Sequence, residues 1–413
     1  MLKIIVGVLK VIDILMIIYG VYYVIIGIFV FLKEKKIKKT NAKNRFAIII
    51  PARNEEKVIG NLLDSLKKQK YPKELYDIFV FPNNCNDRTK EIAIENNAEI
   101  IECTEKIKSK GEALKYSFKF LNDNFNCYDA FIIFDADNVV HPQFIEKMND
   151  ALCSGYQLAQ GYRDSKNPHD TWISNCYTLY YMIQNHFFNR ARMNIGQSSF
   201  INGTGFMIAK ERLYKKGYNP KSMTEDIELS VKCAINNEEI AFVREAITYD
   251  EQITTLKESF KQRMRWSIGT NQCLINYAPN LIQGGIKGKL NCIDALIFLM
   301  APTLQIVSSV AFALHIILAI IYGISHDTFS SLLCCYLTSI ALSIFAIKSN
   351  NKRIKAYLKG ILTFPIFILT WIPVNIIALW KRNYKWGRIE HNKSITIEKV
   401  LDYDNQEEKI KTA

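Results

Sequence analysis

The first 32 residues constrain the fold more than any other stretch of the 413-residue chain. Met1 to Leu32 is apolar apart from Lys3, Lys10 and Asp13. It exceeds the roughly 20 residues a helix needs to cross a bilayer core. A transmembrane helix is therefore expected. A cleaved signal peptide would instead show an apolar run of about 7–15 residues ending at small residues, and no such site is evident. The cluster Lys33-Glu34-Lys35-Lys36-Ile37-Lys38-Lys39 follows directly, and positive-inside bias keeps such a cluster, with the chain after it, in the cytosol.

The C-terminal third is apolar again, over residues 293–323 (interrupted by Pro302), 329–347, and 358–380 (with Pro365 and Pro373). Lys348 to Lys355 is rich in basic residues and is expected in the cytosol. Two spans return the chain there, whereas a third would export the tail beginning Lys381-Arg382. Residues 358–380 are therefore expected to be re-entrant or interfacial.

Between these regions, short β-rich runs alternate with helical periods, the pattern of an α/β fold with a mainly parallel sheet. Phe46 to Ile50 leads to Pro51-Ala52-Arg53-Asn54-Glu55. Asp77 to Phe81 leads to Pro82-Asn83-Asn84-Cys85-Asn86-Asp87, and a short strand at Glu99-Ile100-Ile101 precedes a helix opened by Lys110-Gly111. A fourth strand, Ala130 to Phe134, leads to Asp135-Ala136-Asp137. Ligands in such sheets bind beyond the carboxyl ends of strands. Arg53, Asn54, Glu55, Asn83, Asp87, Lys110, Asp135 and Asp137 should thus surround one crevice. Asn and Asp also cap helices and form turns, and for Asp87, just ahead of a helix, both readings stand.

Two further clusters are Thr224-Glu225-Asp226 and Gln262-Arg263-Met264-Arg265-Trp266. Carboxylates one residue apart can offer oxygen ligands to Mn²⁺ or Mg²⁺. A separate carboxylate can deprotonate an acceptor hydroxyl, and an Arg beside a Trp can hold pyrophosphate and stack a sugar. A Thr N-cap with acids in the first helical turn equally accounts for Thr224 and Glu225, and Trp266 could also be an interfacial membrane anchor.

With three such clusters in this order between membrane segments, the chain resembles the membrane-embedded family 2 glycosyltransferases, the group of cellulose, hyaluronan and poly-N-acetylglucosamine synthases. The resemblance covers roughly residues 45 to 391. It implies a GT-A-type nucleotide-sugar-binding domain flanked by N- and C-terminal transmembrane helices, and transfer with inversion. Pro51, Arg53, Glu55, Asn83, Asp87, Lys110, Asp135, Gln262 and Arg265 are then expected on the donor. Asp135 and Asp137 would hold the metal, with Asp226 as general base. Gly203, Thr204, Glu225 and Trp266 fall on the acceptor side. The family usually has Asp where this chain has Asn83, which leaves the donor base, expected to be uracil, less fixed. Trp386 and His391 fit a Trp-x-x-x-x-His pattern on the gating loop of related synthases.

The implied product is a growing polysaccharide built from a UDP-linked hexose or N-acetylhexosamine. A non-processive transferase acting on a lipid or other membrane acceptor is the rival. A nucleotide-sugar-binding subunit without catalysis is a third reading, opposed by the complete set of acids. Residues 1–32 then form the first span, 33–44 a basic linker and 45–255 a cytosolic catalytic domain. Residues 256–290 form an interfacial segment, 291–380 the C-terminal membrane region and 381–413 a basic cytosolic tail, the whole chain sitting multi-pass in the cell membrane, with an accessory membrane subunit as a conceivable partner. The net charge of +13 raises the question of nucleic acid. Much of the basic excess flanks apolar stretches, however, so anionic lipid headgroups are the expected partner and nucleic acid is not. The ten cysteines include no paired Cys-x-x-Cys spacing of a zinc or redox site and read as reduced thiols.

Overall fold

A computed structural model describes residues 2–103, 105, 107–322, 328–381 and 390–403. Trp386 lies outside the described residues.

The catalytic-domain region is built on one eight-stranded sheet, ordered β3-β2-β1-β4-β7-β6-β8-β5. Its strands are β1 (Phe46–Ala52), β2 (Tyr76–Pro82), β3 (Glu99–Ile100), β4 (Ala130–Ile133), β5 (Val139–Val140), β6 (Leu158–Ser165), β7 (Phe206–Ala209) and β8 (Ile240–Asp250). The first half, β3-β2-β1-β4, is parallel as expected. Beyond β4 the sheet is mixed: β7 runs antiparallel to both β4 and β6, β8 is parallel to β6, and β5 is antiparallel to β8. Four of the seven pairings are therefore parallel.

β1 is buried on both faces, as a strand covered by helices must be. Its side chains alternate between two cores. Phe46, Ile48 and Ile50 pack with Ile59, Leu62, Leu63 and Leu66 of α2 (Ile59–Lys67). Ala47 and Ile49 face Leu114, Phe118 and Leu121 of α4 (Lys110–Asn124) and Leu229 and Cys233 of α9 (Glu225–Asn236). The remaining helices of this region are α3 (Thr89–Glu95), α5 (Phe144–Cys153), α6 (Trp172–Ile183), α7 (Ala191–Asn194) and α8 (Lys210–Lys216). A π-helical stretch, Gln184–Arg190, joins α6 to α7. At Gly161 the β6–β8 register shifts, and a Cβ there would lie 2.5 Å from the Ala246 carbonyl oxygen, so only glycine fits without a shift.

The apolar helices are α1 (Leu2–Ile28), α11 (Leu290–Tyr322), α12 (Thr328–Ser349), α13 (Leu358–Leu369) and α14 (Trp371–Trp380), with α10 (Leu256–Ile286) leading into the last four. Among the described residues, three helical segments are long and apolar enough to cross a bilayer: Leu2–Phe31, Leu290–Tyr322 and Ile354–Trp380. The last is broken at Thr370, between α13 and α14. One buried contact ties α1 and α11 to the catalytic-domain region. The Arg192 guanidinium donates twice to Asp294, at 2.7 Å each, and the Tyr22 hydroxyl donates to the same carboxylate. All ten cysteines are unpaired thiols.

Candidate active site

The polar clusters at the ends of β1, β2 and β4 converge on a cavity of about 860 Å³. Pro51, Arg53, Glu55, Asn83, Lys110, Asp135 and Asp137 line one part of it. Gly203, Glu225 and Asp226 line the middle, and Gln262, Arg265 and Trp266 of α10 line the side towards the membrane helices. Thus 13 of the 15 residues assigned from the sequence to donor, acceptor, metal or base meet there. The other two, Asp87 and Thr204, support the wall instead of forming it. Asp87 accepts from the backbone N–H (3.1 Å) and hydroxyl (2.6 Å) of Thr89 and from the Glu56 N–H, ordering the turn into α3. Thr204 is fully buried; its hydroxyl donates to Asn138 and accepts from the Asp135 N–H at 3.0 Å.

The two carboxylates at the β4 end have different surroundings. Asp135 is paired with Lys110, whose ammonium also donates to the Gly203 carbonyl at 2.7 Å. Asp137 accepts from the Glu251 N–H at 3.2 Å and lies 4.0 Å from His391 Nε2. Burial alone would raise the Asp137 carboxyl, but the charges of His391 and Lys166 outweigh it and hold the group below the ordinary aspartate value. Asp137 therefore stays ionised. Among the described residues there is no cluster of three or more His, Cys, Asp or Glu placed to hold a metal ion. Two anionic oxygen donors facing a cavity nevertheless suit a hard divalent cation whose other ligands come from a phosphate and water.

Asp226 and Glu225 occupy the first turn of α9. The Thr224 cap expected from sequence does not form: Thr224 makes no side-chain cap bond and its hydroxyl is buried without a partner against Gly269. The Ser222 hydroxyl instead donates to the Thr224 carbonyl at 3.0 Å. Burial pushes Glu225 up to about 7, with Lys110 opposing and Asp226 adding to the rise. Asp226 is also raised by burial, against a 2.8 Å hydrogen bond from the Ile227 N–H and the charge of Lys110. A raised carboxylate in a cavity is a better proton acceptor near neutral pH than one in water.

Gln262, Arg265 and Trp266 have i, i+3, i+4 spacing, which puts them on one face of α10. Arg263 points away, donating to the Phe367 carbonyl and, at 2.8 Å, to the Thr370 hydroxyl at the α13–α14 break. Trp266 lies nearly parallel to Trp371, their ring centres 6.0 Å apart.

Sequence reasoning missed several groups. Arg163 lines the cavity, pairs with the buried Asp250 and donates to the Asn202 carbonyl. Asn138 links Asp135, Thr204 and Asp250. Lys166 donates to the Asp137 carbonyl at 2.8 Å and pairs with Glu251. Glu251 in turn accepts from the backbone N–H groups of Asn392 and Lys393, holding the C-terminal segment against the site. His391, which the Trp-x-x-x-x-His pattern had singled out, lines the cavity, bonds to Glu55 at 3.0 Å and is raised to about 10: burial opposes the rise, and Asp137 and Glu55 outweigh it. Among the missed groups only Asn138 had a local signal, directly after Asp137.

A model of glycosyltransferase-like family 2 matches residues 43–269. The chain belongs to this family. It is 26% identical over 246 residues to the probable glycosyltransferase YdaM of Bacillus subtilis, covering 56% of the chain and 57% of that protein. It is 23% identical over 261 residues to beta-monoglucosyldiacylglycerol synthase of Trichormus variabilis, covering 62% of the chain and 54% of that protein. The chain thus matches little more than half the length of these curated relatives. The fold of this glycosyltransferase is shared with the mannosyltransferase PcManGT of Pyrobaculum calidifontis, a structure in complex with GDP-Man and Mn²⁺. That likeness has a TM-score of 0.60 at 16% identity and covers 92% of the chain and 99% of PcManGT.

Proposed function

We propose that this family 2 glycosyltransferase moves a sugar from a nucleotide diphosphate to the hydroxyl of an acceptor presented from the membrane, with inversion at the anomeric carbon. The observation that carries this reading is one continuous cavity. It holds the Asp135/Asp137 pair, the raised Asp226 and the Arg265–Trp266 face, and extends to Met16 and Tyr19 of α1 and Phe298, Leu304 and Gln305 of α11.

The donor lies against Pro51, Arg53, Glu55 and Asn83, with Lys110 positioning Asp135. Asp135 and Asp137 are the residues that would hold Mn²⁺ or Mg²⁺, and such a cation, when bound, neutralises charge on a departing diphosphate. Asp226 accepts the acceptor hydroxyl proton as the oxygen attacks, Arg265 contacts the diphosphate, and Trp266 offers a flat apolar face to a sugar. Of the two acceptor classes open from sequence, a growing polysaccharide and a membrane lipid, the lipid has the better support. The cavity is walled by apolar side chains of membrane helices, and one curated relative is named a beta-monoglucosyldiacylglycerol synthase. In this reading α1 and the C-terminal helices lie in the cell membrane, with the catalytic domain and the Lys33–Lys39 cluster on the cytosolic side.

The test is release of nucleoside diphosphate by the detergent-solubilised protein from UDP-glucose, UDP-N-acetylglucosamine, UDP-galactose and GDP-mannose, each with Mn²⁺, Mg²⁺ or chelator. Metal-dependent turnover of one donor, lost in Asp137→Ala, is expected. No turnover of any donor in a preparation containing membrane lipids would refute the reading.

A further inference from the structure

The part of the cavity next to Asp226 carries neutral polar groups on one side and apolar ones on the other. Asn202 directly precedes Gly203, which lies against the Asp226 carboxylate: a Cβ on Gly203 would lie 3.1 Å from Asp226 Oδ2. The Asn202 amide accepts from Gln184 at 3.2 Å, yet Asn202 Nδ2 and Gln184 Oε1 are shielded from solvent without any hydrogen-bond partner. Trp371 Nε1 is in the same state. An unpaired, shielded polar atom costs about 1–3 kcal/mol, so three around one cavity call for an explanation. Gln184 also opens the π-helical stretch, a backbone irregularity common at functional sites. Tyr180 completes this wall, its ring 6.5 Å from that of Trp371.

The charges nearby are already committed. Lys110 is paired with Asp135 and lies 3.9 Å from Glu225. Arg163 is paired with Asp250, and Arg265 belongs to the diphosphate in the proposed reaction. A phosphate placed beside Glu225 and Asp226 would bring a third anion to two buried carboxylates whose nearest cation, Lys110, is already shared with Asp135. It would also leave Asp226 without a task, because a phosphate oxygen is already ionised at neutral pH.

We infer that Tyr180, Gln184, Asn202 and Trp371 form a headgroup subsite for a neutral, hydroxyl-bearing lipid, and that this subsite excludes lipid phosphates. The inference rests on the glycosyltransferase reading above and specifies its acceptor. The headgroup hydroxyls meet the unpaired amide and indole atoms, and the apolar part lies along Met16, Phe298 and Leu304. In the transfer the acceptor O–H proton passes to Asp226, the oxygen bonds to the anomeric carbon, and the bond from that carbon to the diphosphate breaks, its electron pair leaving with the nucleoside diphosphate.

The test uses the full chain in nanodiscs with the metal and donor found active, comparing diacylglycerol with polyprenyl monophosphate as acceptor. Glycosylated diacylglycerol is expected, with the phosphate used at least tenfold less well. Trp371→Phe, which keeps the ring and loses the N–H, and Gln184→Leu should each raise the acceptor KM about fivefold, the equivalent of about one hydrogen bond, with the Kd for nucleoside diphosphate unchanged. Equal or better use of polyprenyl phosphate, or variants that weaken nucleotide binding and leave acceptor KM alone, would overturn the inference. Asp226-dependent hydrolysis of donor that neutral lipid fails to stimulate refutes the headgroup subsite alone, whereas no metal-dependent donor turnover refutes the parent reading with it.

Discussion

Gly203→Ala probes the placement of the proposed base without touching a titratable group. Gly203 has φ of +81°, a region that costs a residue with a Cβ roughly 1–2 kcal/mol. The new Cβ would lie 3.1 Å from Asp226 Oδ2 and 3.9 Å from Lys110 Nζ. The first distance is tighter than ordinary van der Waals contact, so the carboxylate must retreat by a few tenths of an ångström. A misplacement of about 1 Å can cost around 100-fold in rate, so a shift of a third of that predicts a loss of roughly fivefold to tenfold. The direct assay is kcat for transfer, together with nucleotide Kd by calorimetry and a thermal melt. Reduced kcat with nucleotide Kd within about twofold of wild type is expected, because the Gly203 carbonyl that accepts from Lys110 remains and the backbone is altered only locally. Wild-type kcat in a folded Gly203→Ala protein would refute the placement of Asp226 as the base.

Asp226→Asn should lower kcat by about 10²–10⁴, the usual worth of a positioned base, while donor affinity holds in a binding titration; near-normal turnover removes the assignment. The rate should rise with pH over a range above that of an ordinary aspartate, because burial raises Asp226 and the base form is the active one. The rise at Glu225 has a stability consequence of opposite sign. A carboxyl raised from 4.5 to about 7 holds its proton longer in the folded state, so its contribution is full below about 4.5 and lost as pH rises through 7. Glu225→Gln should flatten the pH dependence of the melting temperature over that window, and an unchanged slope would contradict the raised value. Asp294→Asn leaves Arg192, which is fully buried, with a neutral partner, and should cost a large part of the roughly 3–5 kcal/mol typical of a broken buried pair; a denaturant titration showing no loss would rule out that anchor.

The donor side was legible because its residues follow their strands directly: an apolar run in β1, β2 or β4 announces the strand, and the next few polar residues inherit its carboxyl end. The same locality exposed Gln262, Arg265 and Trp266 through helical spacing. What the sequence hid depends on contacts between distant segments. The antiparallel placement of β7 is decided by its pairing with β4 and β6, and no residue in Phe206–Ala209 encodes an orientation. Arg163 and Asp250 lie 87 positions apart on adjacent strands, so neither looks chemical alone. Thr224 read as a helix cap, the commonest role of a Thr before acids, but the close approach of α10 at Gly269 claims its side chain.

The helix α10 joins the candidate site to the apolar C-terminal helices. Its Gln262, Arg265 and Trp266 face the cavity, Arg263, 1% exposed, faces the broken rod of α13 and α14, and Ser267 both lines the cavity and bonds to α14. Arg263 donates to Thr370 and Phe367, the Ser267 hydroxyl donates to Asn375 at 2.6 Å, and Asn375 donates to Gln305 of α11 at 2.6 Å. Buried polar groups are costly unless paired, so this ladder fixes the rotation of α10, and with it the direction of Arg265 and Trp266. Arg263→Leu would remove the hydrogen bonds at the α13–α14 break while leaving every cavity-lining residue of α10 in place. If α10 sets the acceptor wall through that ladder, the acceptor KM should rise several-fold while nucleotide Kd changes by less than twofold. Equal loss of both would mean that α10 serves the donor alone, and the membrane helices would then have no hold on acceptor binding.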